Sequence, residues 1–119
     1  MQAMNPMSTE EIAALFKALS EPVRIRLMFL LLEGGEELCV CDLVETLGLT
    51  QSVVSRHLAY LRNHGLVTTR REGVWIYYRV VEGCCSALFE HIRECGANCL
   101  EMQTDLVRLS LSNRLRKCG

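Results

Sequence analysis

Seven cysteines in 119 residues form an odd and high count, and they are the side chains with the most chemistry to offer. In a reducing compartment such a set serves as free thiols or metal ligands rather than as a disulfide framework. Cys39 and Cys41 stand together in the run Glu37-Leu-Cys-Val-Cys-Asp-Leu43, whereas Cys84, Cys85, Cys95, Cys99 and Cys118 come much later. Residues two apart on a regular helix are separated by about 200°, so joint ligation by Cys39 and Cys41 is expected to distort the start of the helix that carries them. The bland alternative is that both are small core residues, because cysteine buries readily. A helix N-terminus would favour thiolate at Cys39 while Glu36, Glu37 and Asp42 oppose it, and the balance is open at this level.

A second set of chemically active residues is cationic. The net charge of −1 conceals an uneven distribution: residues 1–49 hold three basic residues against eight acidic ones, residues 50–79 hold five arginines against Glu72, and residues 80–119 balance. In the middle block, Gln51, Ser52, Ser55, Arg56, His57 and Arg62 offer hydroxyl, amide, guanidinium and imidazole groups for base edges and phosphates. Arg70 and Arg71, expected at a hairpin tip, can reach the adjacent backbone or minor groove. The competing reading of Ser55, Arg56 and His57 is a merely solvated helix face.

The elements that must position these residues follow from spacing and punctuation. Ser8 and Glu11 match a capping box, and Ile12, Leu15, Phe16 and Leu19 then fall on one helical face. Ser20-Glu21-Pro22 places a capping serine and an early proline before a second helix, Val23 to Leu32, which is apolar almost all round and therefore central; Gly34-Gly35 stops it. Leu38, Val40, Leu43 and Leu47 predict a short third helix ended by Gly48. Thr50 caps a fourth, with Val54, Leu58 and Leu61 buried and Asn63-His64-Gly65 as its stop. Leu66–Arg71 and Val74–Val80 read as a two-strand hairpin about Glu72-Gly73, which must lean on the helices because a lone ribbon is marginal. Beyond it, Cys84, Leu88, Ile92, Cys95 and Cys99 are expected on one helical face, Gly96 is a candidate break, and Met102, Leu106 and Leu109 continue in a last helix. The whole reads as one domain, residues 1–119, mainly α with a small β-hairpin. Residues 8–82 are expected to form a DNA-binding core and residues 83–119 a C-terminal helical segment and tail. Helix, turn, helix and basic hairpin in this order are those of a winged helix-turn-helix.

Glu37-Leu-Cys-Val-Cys-Asp-Leu43, Ser55-Arg-His-Leu58, Leu61-Arg-Asn-His-Gly-Leu66 and Arg71-Glu-Gly-Val-Trp-Ile-Tyr-Tyr-Arg79 together resemble the ArsR-SmtB family of metalloregulatory repressors, over roughly residues 12–80. The resemblance implies a homodimer on double-stranded operator DNA that leaves when an inducer binds, and it assigns dimerisation to the C-terminal helical segment, residues 83–119. The Cys-Val-Cys-Asp-Leu run is most similar to arsenite and antimonite sensors, which implies As(III) or Sb(III) at Cys39 and Cys41 and no required cofactor. Those sensors carry a third cysteine where this chain has Val44, so a further ligand is sought among Cys84, Cys85, Cys95 and Cys99. Cys95 and Cys99, four apart, are expected either to pack or to form a second thiol pair. Cd(II), Pb(II) or an organoarsenical as inducer, and a thiol redox response, are the alternatives. A zinc site of the family's dimer-interface type is not expected, since the last segments offer His91 without an Asp-x-His pattern.

A thiol enzyme is disfavoured by the lack of Cys-x-x-Cys, of a βαβ pattern and of an acid–base pair near a cysteine. The longest apolar run, Leu27 to Leu32, is far short of the ~20 residues of a membrane span. Met1–Ser8 has neither a basic start nor an apolar stretch, so a cytoplasmic location without membrane contact is the default.

Overall fold

The computed structural model describes residues 7–83 and 85–115, with side chains to residue 112. The first helix, α1 (Thr9–Ala18), opens on the expected capping box: the Glu11 amide donates to Ser8 Oγ at 3.0 Å and the Ser8 amide to Glu11 Oε1 at 2.8 Å. Its expected apolar stripe divides. Leu19 is buried and Leu15 packs on the core, but Ile12 is 43% and Phe16 57% exposed, because the described residues leave this edge of α1 largely uncovered.

Helix α2 (Pro22–Glu33) runs through the middle and buries Leu27, Met28, Phe29, Leu30 and Leu31 consecutively. Its cap is Glu21, which accepts from the Arg24 amide, rather than Ser20. The Ser20 hydroxyl donates back to the Lys17 carbonyl at 2.9 Å and so closes α1.

Strand β1 (Leu38–Cys39) occupies the segment expected as the first turn of a helix. It pairs antiparallel with β3 (Trp75–Val80), which pairs with β2 (Val67–Glu72), giving the order β1-β3-β2. The expected hairpin is thus two strands of a three-stranded sheet, and β1 braces it. Glu72 faces Trp75 across a two-residue turn, Gly73-Val74, with Gly73 at φ +63°, a value suited to the first central position of a tight hairpin turn.

Helices α3 (Val40–Leu47) and α4 (Gln51–Asn63) form the helix-turn-helix. The Thr50 hydroxyl accepts from the Val53 amide, and Leu43 and Leu47 on α3 join Val54, Leu58 and Leu61 on α4 in the core. His64 ends α4 as expected, its Nδ1 2.9 Å from the Tyr60 carbonyl oxygen and its ring stacked on Tyr60.

Helix α5 (Ser86–Ala97) runs unbroken past Gly96, and the break falls at Asn98 before α6 (Leu100–Leu115). The glycine permits contact instead: a Cβ at Gly96 would lie 2.2 Å from Phe29 Cε1. Phe29 is 2% exposed and has nowhere to go. We expect Gly96→Ala to lower stability by about 1–3 kcal/mol through overpacking, despite alanine's better helix propensity. Urea unfolding would measure it, and an unchanged midpoint would show that α5 can slide.

Candidate thiol site and nucleic-acid interface

Cys39 is both the last residue of β1 and the cap of α3, with extended backbone (φ −73°, ψ 144°), whereas Cys41 is the second residue of the helix. This corrects the expectation that both lie on a helix and face about 200° apart. With Cys39 outside the helix its side chain turns back, and the two Sγ atoms lie 2.8 Å apart as free thiols. Two sulfurs can therefore meet one ion with α3 still wound. Cys39 is held by strand pairing opposite Tyr77 and is 1% exposed; Cys41 is half-buried.

Burial decides the charge of Cys39. It pushes the thiol up to about 11, helped by the hydrogen bond with Cys41 and by Asp42. Glu37, expected to act on the pair, is engaged by Arg70 instead, which holds its carboxyl below the usual range. Differential alkylation should read this difference: at pH 8 iodoacetamide should label Cys41 well before Cys39, with Cys39 catching up only as pH approaches 11. Equal rates would place Cys39 at the surface.

The later cysteines do not join the pair among the described residues. Cys85 is buried at the start of α5, and Cys95 is exposed with Sγ 3.5 Å from His91 Nε2. Cys99 is half-buried beyond the end of α5, so the helical spacing expected to unite it with Cys95 is interrupted. The buried face of α5 is Phe89, Ile92 and Gly96, rather than a cysteine stripe. Cys84 and Cys118 lie outside the described residues. No group of three His, Cys, Asp or Glu side chains that could hold a metal occurs among the described ones.

On α4, Gln51, Ser52, Arg56 and Arg62 are exposed and Ser55 is half-buried. His57 departs from the expected outward face. Its side chain is 13% exposed, with Nδ1 3.2 Å from Arg24 Nη1 and 3.7 Å from Glu21 Oε2. Arg24 also donates to the Ala18 carbonyl and lies 4.1 Å over the Tyr60 ring, so His57 and Tyr60 lock α4 to the start of α2. The spacing 54, 57, 58, 61 already put His57 on the buried stripe.

Arg70 and Arg71 fall short of the hairpin tip, which is Gly73-Val74. Arg71 is exposed, but Arg70 is committed: it bonds Glu37 and Glu72 and stacks 4.7 Å from the Tyr77 ring centroid. Sequence reasoning also missed Arg26 and Asp105, paired across 79 positions with no local signal.

A short helix leading into a helix with a polar outer face, beside a three-stranded wing, defines the class of winged helix-turn-helix regulators. The profile of bacterial regulatory proteins of the arsR family matches residues 21–69. Residues of this chain are 48% identical over 66 positions to the arsenical resistance operon repressor of Escherichia coli (strain K12), covering 56% of this chain and 56% of that protein. The chain thus spans little more than half the length of that relative. A cadmium resistance transcriptional regulatory protein CadC homolog of Staphylococcus aureus is 38% identical over 95 residues, covering 76% of this chain and 74% of the relative. Among solved structures, reduced HlyU from Vibrio cholerae N16961 superposes with a TM-score of 0.66 at 33% identity, covering 73% of this chain and 90% of that one. The chain belongs to the ArsR family of transcriptional regulators. Among the described residues no helix is long and apolar enough to cross a membrane.

Proposed function

We propose that a homodimer of this chain represses transcription by holding operator DNA, and releases it when As(III) or Sb(III) binds Cys39 and Cys41. One observation carries the reading: α3, which begins at the sulfur pair, packs directly on α4, whose exposed face carries Gln51, Ser52, Arg56 and Arg62. An ion entering between sulfurs now in contact must part them. Cys39 is pinned by β1, so the displacement falls on Cys41 and on α3, and through it on α4. Ile12 and Phe16 on α1 and Leu100, Val107 and Leu111 on α6 are apolar and exposed, as a surface for self-association requires. Two copies would set their α4 helices in successive major grooves, about 34–36 Å apart.

The test is a gel shift on an operator fragment selected from random duplex DNA. Arsenite should free the DNA from the wild type; a complex indifferent to arsenite overturns the inducer, and failure to select any DNA overturns the repressor. A pH series separates metalloid from divalent cation. Arsenous acid condenses with two thiols by losing water, which carries the thiol protons away, whereas Cd²⁺ must expel them into solvent. With Cys39 raised to about 11 and protonated at neutrality, Cd²⁺ affinity should climb steeply from pH 6 to 8 while arsenite affinity stays nearly flat.

A further inference from the structure

We infer that Arg24 is a positioning residue for DNA binding: it seats α4 through His57 and Tyr60, and the seat requires His57 to be uncharged. The inference rests on α4 as the helix laid on DNA and stands apart from whatever the thiol pair binds.

Arg24 is fixed where α1, α2 and α4 meet. Its amide donates to Glu21 Oε2 at 3.1 Å, its Nε to the Ala18 carbonyl at 2.6 Å and its Nη2 to the Lys17 carbonyl at 3.4 Å. These bonds tie it to the cap of α2 and the end of α1. The rest of the guanidinium serves α4: its carbon lies 4.1 Å over the Tyr60 ring, and Nη1 lies 3.2 Å from His57 Nδ1. His57 and Tyr60 are three apart and adjoin on one helical face. Arg56, the neighbour of His57, is exposed with Gln51, Ser52 and Arg62 on the opposite side. A shift of the inner face carries these groups with it, and hydrogen bonds to bases or phosphates hold only over about 2.7–3.2 Å.

A guanidinium can only donate, so Nδ1 must offer a lone pair and the ring proton must sit on Nε2. A second proton would occupy Nδ1 and face Arg24. Its alternative acceptor is Glu21 Oε2, 3.7 Å away. Proton uptake thus exchanges one partner on α2 for another and draws α4 off its seat, and histidine is the side chain that charges between roughly pH 8 and 5. Glu21 and Arg24 are the charged groups at Nδ1; on α4 itself Tyr60 and, stacked on it, His64 are the titratable neighbours. The other elements packed on α4 carry Cys41, Asp42 and Glu45 on α3 and Arg70, Arg71 and Glu72 on β2.

The experiment is fluorescence anisotropy of the selected operator fragment, titrated with the full chain at pH 7.5 and 5.5, for the wild type and His57→Asn. Asparagine sets an amide oxygen near the place of Nδ1 and does not titrate, so it keeps the bond to Arg24 and leaves every other titratable group in place. Between the two pH values the wild-type Kd should rise about tenfold more than that of His57→Asn, the scale of a lost hydrogen bond to a charged group. Arg24→Lys keeps the charge but cannot reach α1, His57 and Tyr60 together. It should weaken DNA binding at pH 7.5 by a similar factor and abolish the pH difference. Equal pH dependence in the wild type and His57→Asn, or normal DNA binding by Arg24→Lys, overturns the inference. NMR of the wild-type ring nitrogens at pH 7.5, which needs no variant to fold, should find the His57 proton on Nε2, and a proton on Nδ1 overturns the seat. Failure to select any duplex falls on the repressor reading instead, and the nitrogen spectrum still decides the seat.

Discussion

Asp105→Ala should lower the stability of the folded chain by about 3–5 kcal/mol, the usual cost of removing one partner from a buried ion pair. Asp105 is 1% exposed and accepts two hydrogen bonds from Arg26, Nε to Oδ2 at 2.9 Å and Nη2 to Oδ1 at 3.0 Å. That fork is the strong geometry for a guanidinium and a carboxylate. Glu101 lies 3.6 Å from Arg26 Nη1 but is mostly exposed and cannot take over. The alanine variant would leave the Arg26 charge, 17% exposed, without its main partner. The hydrogen bond to Asp105 is also the chief reason that Arg26 holds its proton more tightly than usual. Because the pair joins α2 to α6, and α6 in turn packs on α3 with Ser112 donating to Glu45 at 2.5 Å, its loss should loosen the support of the thiol helix as well. Urea unfolding of Asp105→Ala and of Arg26→Met with Asp105→Leu should show a large loss for the first and recovery of most of it in the second. A single variant as stable as the wild type would mean that the pair contributes nothing net.

Cys39→Ser alone should raise the arsenite concentration needed to release DNA by on the order of 10²–10⁴-fold. This is the advantage that a second, tethered ligand gives over one acting singly. The sulfurs lie in contact, so the second As–S bond forms within an already assembled site, and one thiol cannot reproduce it. Cys41→Ser should have the same effect. Cys95→Ser should have none, as that thiol is exposed on α5 beside His91 and outside any three-ligand cluster among the described residues. Fluorescence anisotropy of labelled operator DNA against arsenite reads all three variants. A normal response in Cys39→Ser would move the inducer site elsewhere, and a lost response in Cys95→Ser would bring α5 into it.

Much of the frame was legible because it is written in short-range chemistry. The capping box at Ser8, the unbroken apolar run of α2, the stripe Val54, Leu58, Leu61 and the Gly73 turn each depend on residues within a turn or two of one another. The basic block and the Cys-x-Cys pair are likewise properties of the chain read in order. Misreadings occurred where an isolated pattern had two outcomes. Gly96 could break a helix or admit a neighbour, and the Phe29 ring decides for the neighbour. His57 could face water or the domain, and Arg24 with Glu21 draws it inward. Arg70 could reach DNA from the wing or bind within the domain, and Glu37, 33 positions earlier in the chain, claims it.

Residue types and local spacing were sufficient to determine a winged helix-turn-helix with a thiol pair at the start of its helix-turn-helix. Only the tertiary structure decided what that pair can do. A two-residue strand is too short to show a period, so nothing local announces that Leu38 and Cys39 pair with Tyr78 and Tyr77. That pairing takes Cys39 out of the helix, buries it and brings its sulfur to Cys41. The same fold sets the apolar wing against the helix of Cys41 and leaves a cleft where Val44 holds no sulfur. The pairing of β1 with β3 and the approach of Val40 and Val44 to the wing residues Val74, Trp75 and Ile76 join residues 30 or more positions apart, and no periodicity along the chain encodes them.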